Sequence, residues 1–203
     1  RINGGNVTIA VTEGKSLVYE GNRAGTNAEA AAKNYEKQGD FMYLNGASDR
    51  AAFELAGDLT IKDSIVSNHG TIEKTGKGTL TTADMTGFVG KLDVKEGKMV
   101  IEGGIAEYDI AAQIGVNKGT SGAVELDPTT VTVGQDGEPF AKAELAMGAV
   151  QANHAINFDV NEGSTLTMQS LTVGTKEYAQ RTEAKADPAK ATYAVSYTHL
   201  RAH

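Results

Sequence analysis

Residues 70–104 read GTIEKTGKGTLTTADMTGFVGKLDVKEGKMVIEGG. They form a series of very short segments, each apolar at alternate positions and each closed by glycine. Ile72, Leu80, Leu92, Val94, Val100 and Ile101 are the apolar positions, with Thr, Lys, Asp and Glu between them. A period of two places the apolar set on one face of a strand. Strands this short cannot bury such a face alone and must lie against one another. Ile72 and Leu92 lie about 20 residues apart, as do Leu80 and Val100, a recurrence in the range of repeat architectures. It suits one coil of a β-solenoid, which turns several corners and lands its strands above the previous ones. Ile72 is expected over Leu92, and Leu80 over Val100, side chains inward.

The same corner occurs elsewhere. Val11-Thr12-Glu13-Gly14, Val94-Lys95-Glu96-Gly97 and Val160-Asn161-Glu162-Gly163 share the form Val-x-Glu-Gly, and each precedes an apolar segment. Their separations lie near four and three periods of about 21 to 22 residues. They read as one strand–turn–strand corner used repeatedly.

The order Ile72, Lys74, Gly76, Gly78, Thr79, Leu80, Gly87, Gly90, Leu92, Val94, Gly97, Val100, Gly103 resembles the repeat of bacterial autotransporter passenger regions. The middle turn departs mildly from the usual version, reading Met85-Thr86-Gly87-Phe88-Val89-Gly90 in place of aromatic or Asn-Thr residues. The resemblance implies an all-β fold, a right-handed parallel β-helix (β-solenoid). It implies a structural stalk segment, secreted or on the cell surface of a Gram-negative bacterium, whose repeat aids folding and transport. The implied partner is an outer-membrane barrel in a C-terminal part of the protein, with a host or cell-surface ligand if the passenger is an adhesin.

Composition agrees with this frame. The chain of 203 residues has 24 Gly, 3 Pro, no Cys and no Trp. Glycine suits tight corners. Without cysteine there is no disulfide, thiolate metal site or thiol nucleophile. A formal charge of −7 argues against nonspecific binding to nucleic acid or anionic membrane. No apolar run is long enough for a transmembrane helix, so membrane insertion by this segment is not expected. Arg1-Ile2-Asn3-Gly4-Gly5 lacks Met and the apolar core of a signal peptide, so the chain reads as a fragment of a longer protein.

Along the chain, strands are expected at Asn6–Val11, Ser16–Tyr19, Phe41–Leu44, Leu59–Ile61 and Ile65–Val66. Beyond the repeat they are expected at 108–110, 114–116, 123–126, 130–133, Phe158–Val160, Leu166–Met168 and Leu171–Val173. Asn27–Lys37 is rich in Ala, Glu and Lys, with Glu29 and Lys33 at helical spacing, and reads as a short helical or loop insert. Ser48–Ala56 fits a helical turn or a strand equally, and Ala-rich Phe140–Gln151 could be helix; 134–139 reads as a loop. The solenoid is placed at 1–175, with room for about eight or nine coils at roughly 20 residues each. A polar, Ala-rich end follows at 176–194. Val195–His203 breaks the composition and resembles the translation of a sequencing adapter, so it is expected to stay unpacked.

No catalytic, cofactor-binding or metal-ligating residue is assigned, and no cofactor. His69, in Ser-Asn-His-Gly, and His154 read as solvated turn residues; His199 and His203 belong to the excluded tail. Thr75–Thr79 lacks the spacing and following helix of a phosphate loop, and Gly134–Gly137 holds too few oxygens for a calcium loop. The alternative function is a polysaccharide-cleaving solenoid enzyme with carboxylates or basic residues on one sheet. Low aromatic content, 6%, counts against its sugar groove.

Overall fold

A computed structural model describes residues 2–21, 40–44, 46–106, 129–136, 141–152, 156–173 and 198–202. Among these residues the chain is all-β, with no helix. Its strands are β1 (Ile2–Asn3), β2 (Asn6–Val11), β3 (Ser16–Tyr19), β4 (Asp40–Leu44), β5 (Arg50–Leu55), β6 (Asp58–Thr75) and β7 (Thr79–Thr86). They continue with β8 (Phe88–Val94), β9 (Gly97–Ala106), β10 (Thr129–Val133), β11 (Ala143–Ala152), β12 (Ile156–Val160), β13 (Thr165–Val173) and β14 (Thr198–Ala202). All belong to one sheet of 14 strands that does not close into a barrel.

Every pairing between these strands is parallel, and the pairings fall into three successions. The first runs β2, β5, the end of β6, β8, β10, β12, β14. A second runs β3, the start of β6, β7, β9, β11, β13. The third joins β1, β4, the middle of β6, the start of β8 and, beyond their register shifts, the ends of β7, β9, β11 and β13. β6 serves all three because it bends twice, where its register shifts between Ile61 and Ser64 and between Asn68 and Gly70.

Alternation determines what each succession buries. In the first, Ala51, Ile72, Leu92, Val131 and Phe158 are successive partners, all essentially inaccessible to solvent. In the second, Leu59, Leu80, Met99 and Leu145 do the same. Both sets belong to one continuous apolar core. Full burial of a leucine here contributes about 1.5–3 kcal/mol.

Ile72 pairs with Leu92 as expected. Leu80 does not pair with Val100 but with Met99; Val100 pairs with Thr81 and is only half-buried. The cause is corner length: Gly76-Lys77-Gly78 separates β6 from β7, whereas only Lys95-Glu96 separates β8 from β9. One residue fewer shifts every side chain to the other face. The Val-x-Glu-Gly corners do recur, with left-handed glycines (φ 69° at Gly14, 72° at Gly97, 72° at Gly163). At two of them the same turn closes, Lys15 N–H donating to Thr12 O and Ser164 N–H to Asn161 O, at 3.1 and 3.0 Å. Their spacing is corrected: Val94, Val133 and Val160 are consecutive partners, so the distance from Val94 to Val160 covers two unequal steps rather than three equal ones.

Two ambiguous segments are strands. Ser48–Ala56 contributes β5, and the Ala-rich segment at 140–151 contributes β11 instead of a helix. In β11, Ala143, Leu145 and Met147 point inward while Glu144 points out, and β9 and β13 hydrogen-bond it on both sides. That ladder outweighs the helix preference of alanine. Leu59–Ile61 and Ile65–Val66 are parts of β6, and 166–168 and 171–173 are parts of β13. The insert at 27–37 and the strands expected at 108–110, 114–116 and 123–126 lie outside the described residues. The tail expected to stay unpacked is corrected at 198–202, where β14 runs parallel to β12 from Ile156↔Thr198 to Val160↔Ala202. The open edge of β12 supplies unpaired backbone groups for it.

Inward Leu80 and exposed Lys77 give a direct test. Leu80→Ala is expected to lower unfolding free energy by about 2–5 kcal/mol and Lys77→Ala by no more than about 0.5 kcal/mol. Urea titration measures both; equal losses would contradict the assignment of faces.

Candidate functional site

The outer face of the first succession carries a set of paired charges. Arg50, Thr71 and Lys91 are consecutive register partners, and beside them run Ala52, Glu73 and Asp93. Outward positions repeat every second residue, so cross-strand neighbours on this face come within reach of one another. Arg50 Nη2 and Lys95 Nζ each donate to Glu73 Oε2 at 2.7 Å, which makes a three-rung ionic ladder over β5, β6 and the residue after β8. With Asn6, Asp49 and Lys91 these groups line a shallow, open, polar concavity.

The Glu73 side chain is largely covered, with 14% exposed. Burial alone would raise its pKa, but the hydrogen bond and charge of Lys95 and those of Arg50 outweigh it, and the carboxyl lies below its ordinary value. It is an ionised acceptor between two cations rather than a proton donor. Among the described residues, no three His, Asp or Glu side chains gather to hold a metal ion.

A further cation lies inside the core. Lys74 is the register partner of Phe53 on one side and Val94 on the other, and it is fully buried. Its Nζ donates to the carbonyl oxygens of Gly76 and of Glu96, the latter at 2.6 Å, and so ties two successive corners together. Burial pulls its pKa down to about 8, against the opposing pull of the Glu96 and Asp58 carboxylates. The corner fits the amine closely: a Cβ on Gly97 would lie 2.6 Å from Lys74 Nζ and 2.4 Å from Gly76 O. Glycine at 97 is therefore required by space as well as by its φ of 72°.

His69 is not in a solvated turn. It lies within β6 at the second register shift, half-buried, with φ 69°. His154 and His203 lie outside the described residues, and His199 falls on β14. Thr75–Thr79 is the end of β6, the corner and the first residue of β7, with no helix after it. The sequence reading missed Lys74 and the ladder. Lys74 was legible, since alternation from Ile72 puts it inward. The ladder was not, because it depends on strands 23 and 22 residues apart in the chain.

Comparison with protein-family models, with curated proteins and with solved structures gives no match to the chain.

The two cation systems respond to opposite ends of the pH range. Between about pH 8 and the ordinary value of 10.5 the unfolded chain holds the Lys74 proton and the folded chain does not. Stability of the parent should therefore rise with pH in that window relative to Lys74→Met, by on the order of 1–3 kcal/mol. On the acid side, Glu73 contributes stability above its unfolded pKa that disappears as pH falls through its lower folded value. Glu73→Gln should remove that component, no larger than about 1 kcal/mol because its partners Arg50 and Lys95 remain 53% and 33% exposed. Urea midpoints across pH, each compared with parent, read both effects.

Proposed function

We propose that the chain is a right-handed parallel β-solenoid that serves as a structural stalk segment of an autotransporter passenger. In this reading it is secreted or displayed on the surface of a Gram-negative bacterium, and the repeat at 70–104 aids folding and outer-membrane transport. The observation that carries the proposal is the fixed order in which the chain visits its three strand successions. From β4 onward it passes from third to first to second and back again, always parallel, around one apolar core. A winding chain produces that order, and a set of hairpins does not.

The mechanism of such a segment is mechanical. Each coil contacts only its neighbours, so folding can nucleate at one end and advance coil by coil. That suits a chain emerging progressively through a barrel, where each new coil finds its template already in place. The barrel is the partner this reading requires, in a C-terminal part of the protein, and an adhesive ligand would be held by other parts of the passenger. Polysaccharide cleavage draws less support. The charged face has the carboxylates and bases it needs, but Glu73 is held ionised by two cations, and no aromatic ring lines the concavity.

The test fuses the chain to an autotransporter barrel and measures passenger at the cell surface. Leu80→Asp puts an unpaired charge into the core, at a cost of several kcal/mol. It is expected to reduce display or to leave protease-sensitive passenger, while Lys77→Ala is displayed like the parent. Leu80→Asp passenger that is displayed and protease-resistant would end the proposal.

A further inference from the structure

The concavity on the outer face of the first succession has a simple origin. Arg50, Thr71 and Lys91 are consecutive register partners, and the short Thr71 between two long side chains leaves a notch. Ala47, Ser48 and Asp49, in the turn that enters β5, form its rim. Backbone bonds fix that turn: Asp49 N–H donates to Gly46 O at 2.9 Å, and Thr71 N–H donates to Asp49 O at 3.0 Å. Asp49 Oδ1 also accepts from Gly5 N–H at 2.9 Å. β5, β6 and β8, which carry the floor, each have a strand on both edges, so the floor lies within the sheet and not on an end strand.

The lining holds three cations, Arg50, Lys91 and Lys95, and three carboxylates, Asp49, Glu73 and Asp93, and so carries no net charge. Glu73 draws Arg50 and Lys95 together. Lys91 and half-buried Asp93 are different: among the described residues neither has a hydrogen bond or an ion pair, and the Thr71 hydroxyl has none either. Lys91 and Asp93 are two apart in β8 and project from one face. The unused set is one ammonium that only donates, one carboxylate that only accepts and one hydroxyl that does both. They stand on neighbouring rungs about 4.8 Å apart.

We propose that this concavity binds an uncharged glycan, without cleaving it, through Thr71, Lys91 and Asp93. The ligand class follows from charge complementarity. A polyanion would meet three carboxylates on a chain of formal charge −7. A metal ion would meet three cations and, among the described residues, no cluster of ligands. Neighbouring hydroxyls of a sugar suit the mixed set, because each can donate as well as accept. One gives its hydrogen to the Asp93 carboxylate, the next accepts from Lys91 Nζ, and Thr71 serves in either sense. The rung spacing is close to the length of one ring in an extended glycan, so the ligand lies across the strands with successive rings at β6 and β8. No aromatic ring lines the concavity, so stacking adds nothing and affinity is weak, about millimolar. The inference goes beyond the stalk reading and does not rest on it, since it needs only the register of β5, β6 and β8.

The test is affinity electrophoresis of the whole chain through native gels that contain dextran, laminarin, mannan or galactan, with polygalacturonate as the anionic arm. Each protein is compared with its own mobility in a gel without glycan, which removes the effect of altered charge. At least one neutral glycan is expected to retard the parent, with a Kd of about 1 mM in sugar units. Lys91→Ala and Asp93→Ala should each raise that Kd about tenfold, and Thr71→Val should raise it less. Lys98→Ala, on the outer face of the second succession, should be retarded like the parent. Unchanged urea midpoints show that the variants fold, and Asp93→Asn replaces Asp93→Ala if that variant does not. A parent that passes freely through all four neutral glycans at about 10 mM in sugar units overturns the site. So does stronger retardation by polygalacturonate than by any of them, parent-like retardation of both Lys91→Ala and Asp93→Ala, or an equal loss in Lys98→Ala. Surface display plays no part in the measurement, so its failure leaves the stalk reading standing.

Discussion

A parallel strand needs hydrogen-bonded neighbours on both edges, and a chain that supplies them from its own sequence must return to the same place in the same register. Everything else in this protein follows from that constraint. Short strands suffice where each is held on two sides, as β11 is by β9 and β13. Apolar side chains need only alternate, because the strands above and below complete the dry row. The corners carry the heavier requirement, since a corner one residue shorter exchanges the inner and outer faces of the strand that follows.

The corner held by Lys74 shows how the constraint is met where apolar packing cannot meet it. Two successive corners turn carbonyl oxygens toward the interior at Gly76 and Glu96, and a buried carbonyl without a donor costs about 1–3 kcal/mol. An aliphatic residue at position 74 would fill the row but leave both oxygens unsatisfied. Lysine fills the row with its methylenes and donates to both oxygens with its terminal amine. The accompanying loss is desolvation of the ammonium, offset in part by Glu96 and Asp58. Gly97 completes the arrangement, because a side chain there would take the space of the amine.

Strand positions and the inward set were legible in the sequence wherever alternation was undisturbed, as at Ile72, Leu92 and Val131. Register was legible only where the repeat length held. Leu80 was matched to the wrong partner because the recurrence was counted as constant, while the step from Leu59 to Leu80 is longer than the step from Leu80 to Met99. β11 was obscured by its alanines, whose local preference is for helix until both neighbouring strands are present. The ionic ladder could not be read at all. Arg50, Glu73 and Lys95 are ordinary surface residues in sequence, and only correct register brings them together.

Longer steps explain how regular stacking coexists with an irregular sequence period. In the first succession the step from Val94 to Val133 is nearly twice as long in the chain as the step from Lys74 to Val94. Both steps end in the same place, one strand further along. Closing a longer connection costs only about 0.6 kcal/mol for each doubling of its length. The two strands that meet at its ends recover far more than that through their ladder and their buried side chains. Insertions are therefore admitted between strands, where they leave the register intact, and are excluded from the strands and tight corners, where a single residue would reverse the faces. The period is blurred while the register is preserved, and the register is what holds the fold.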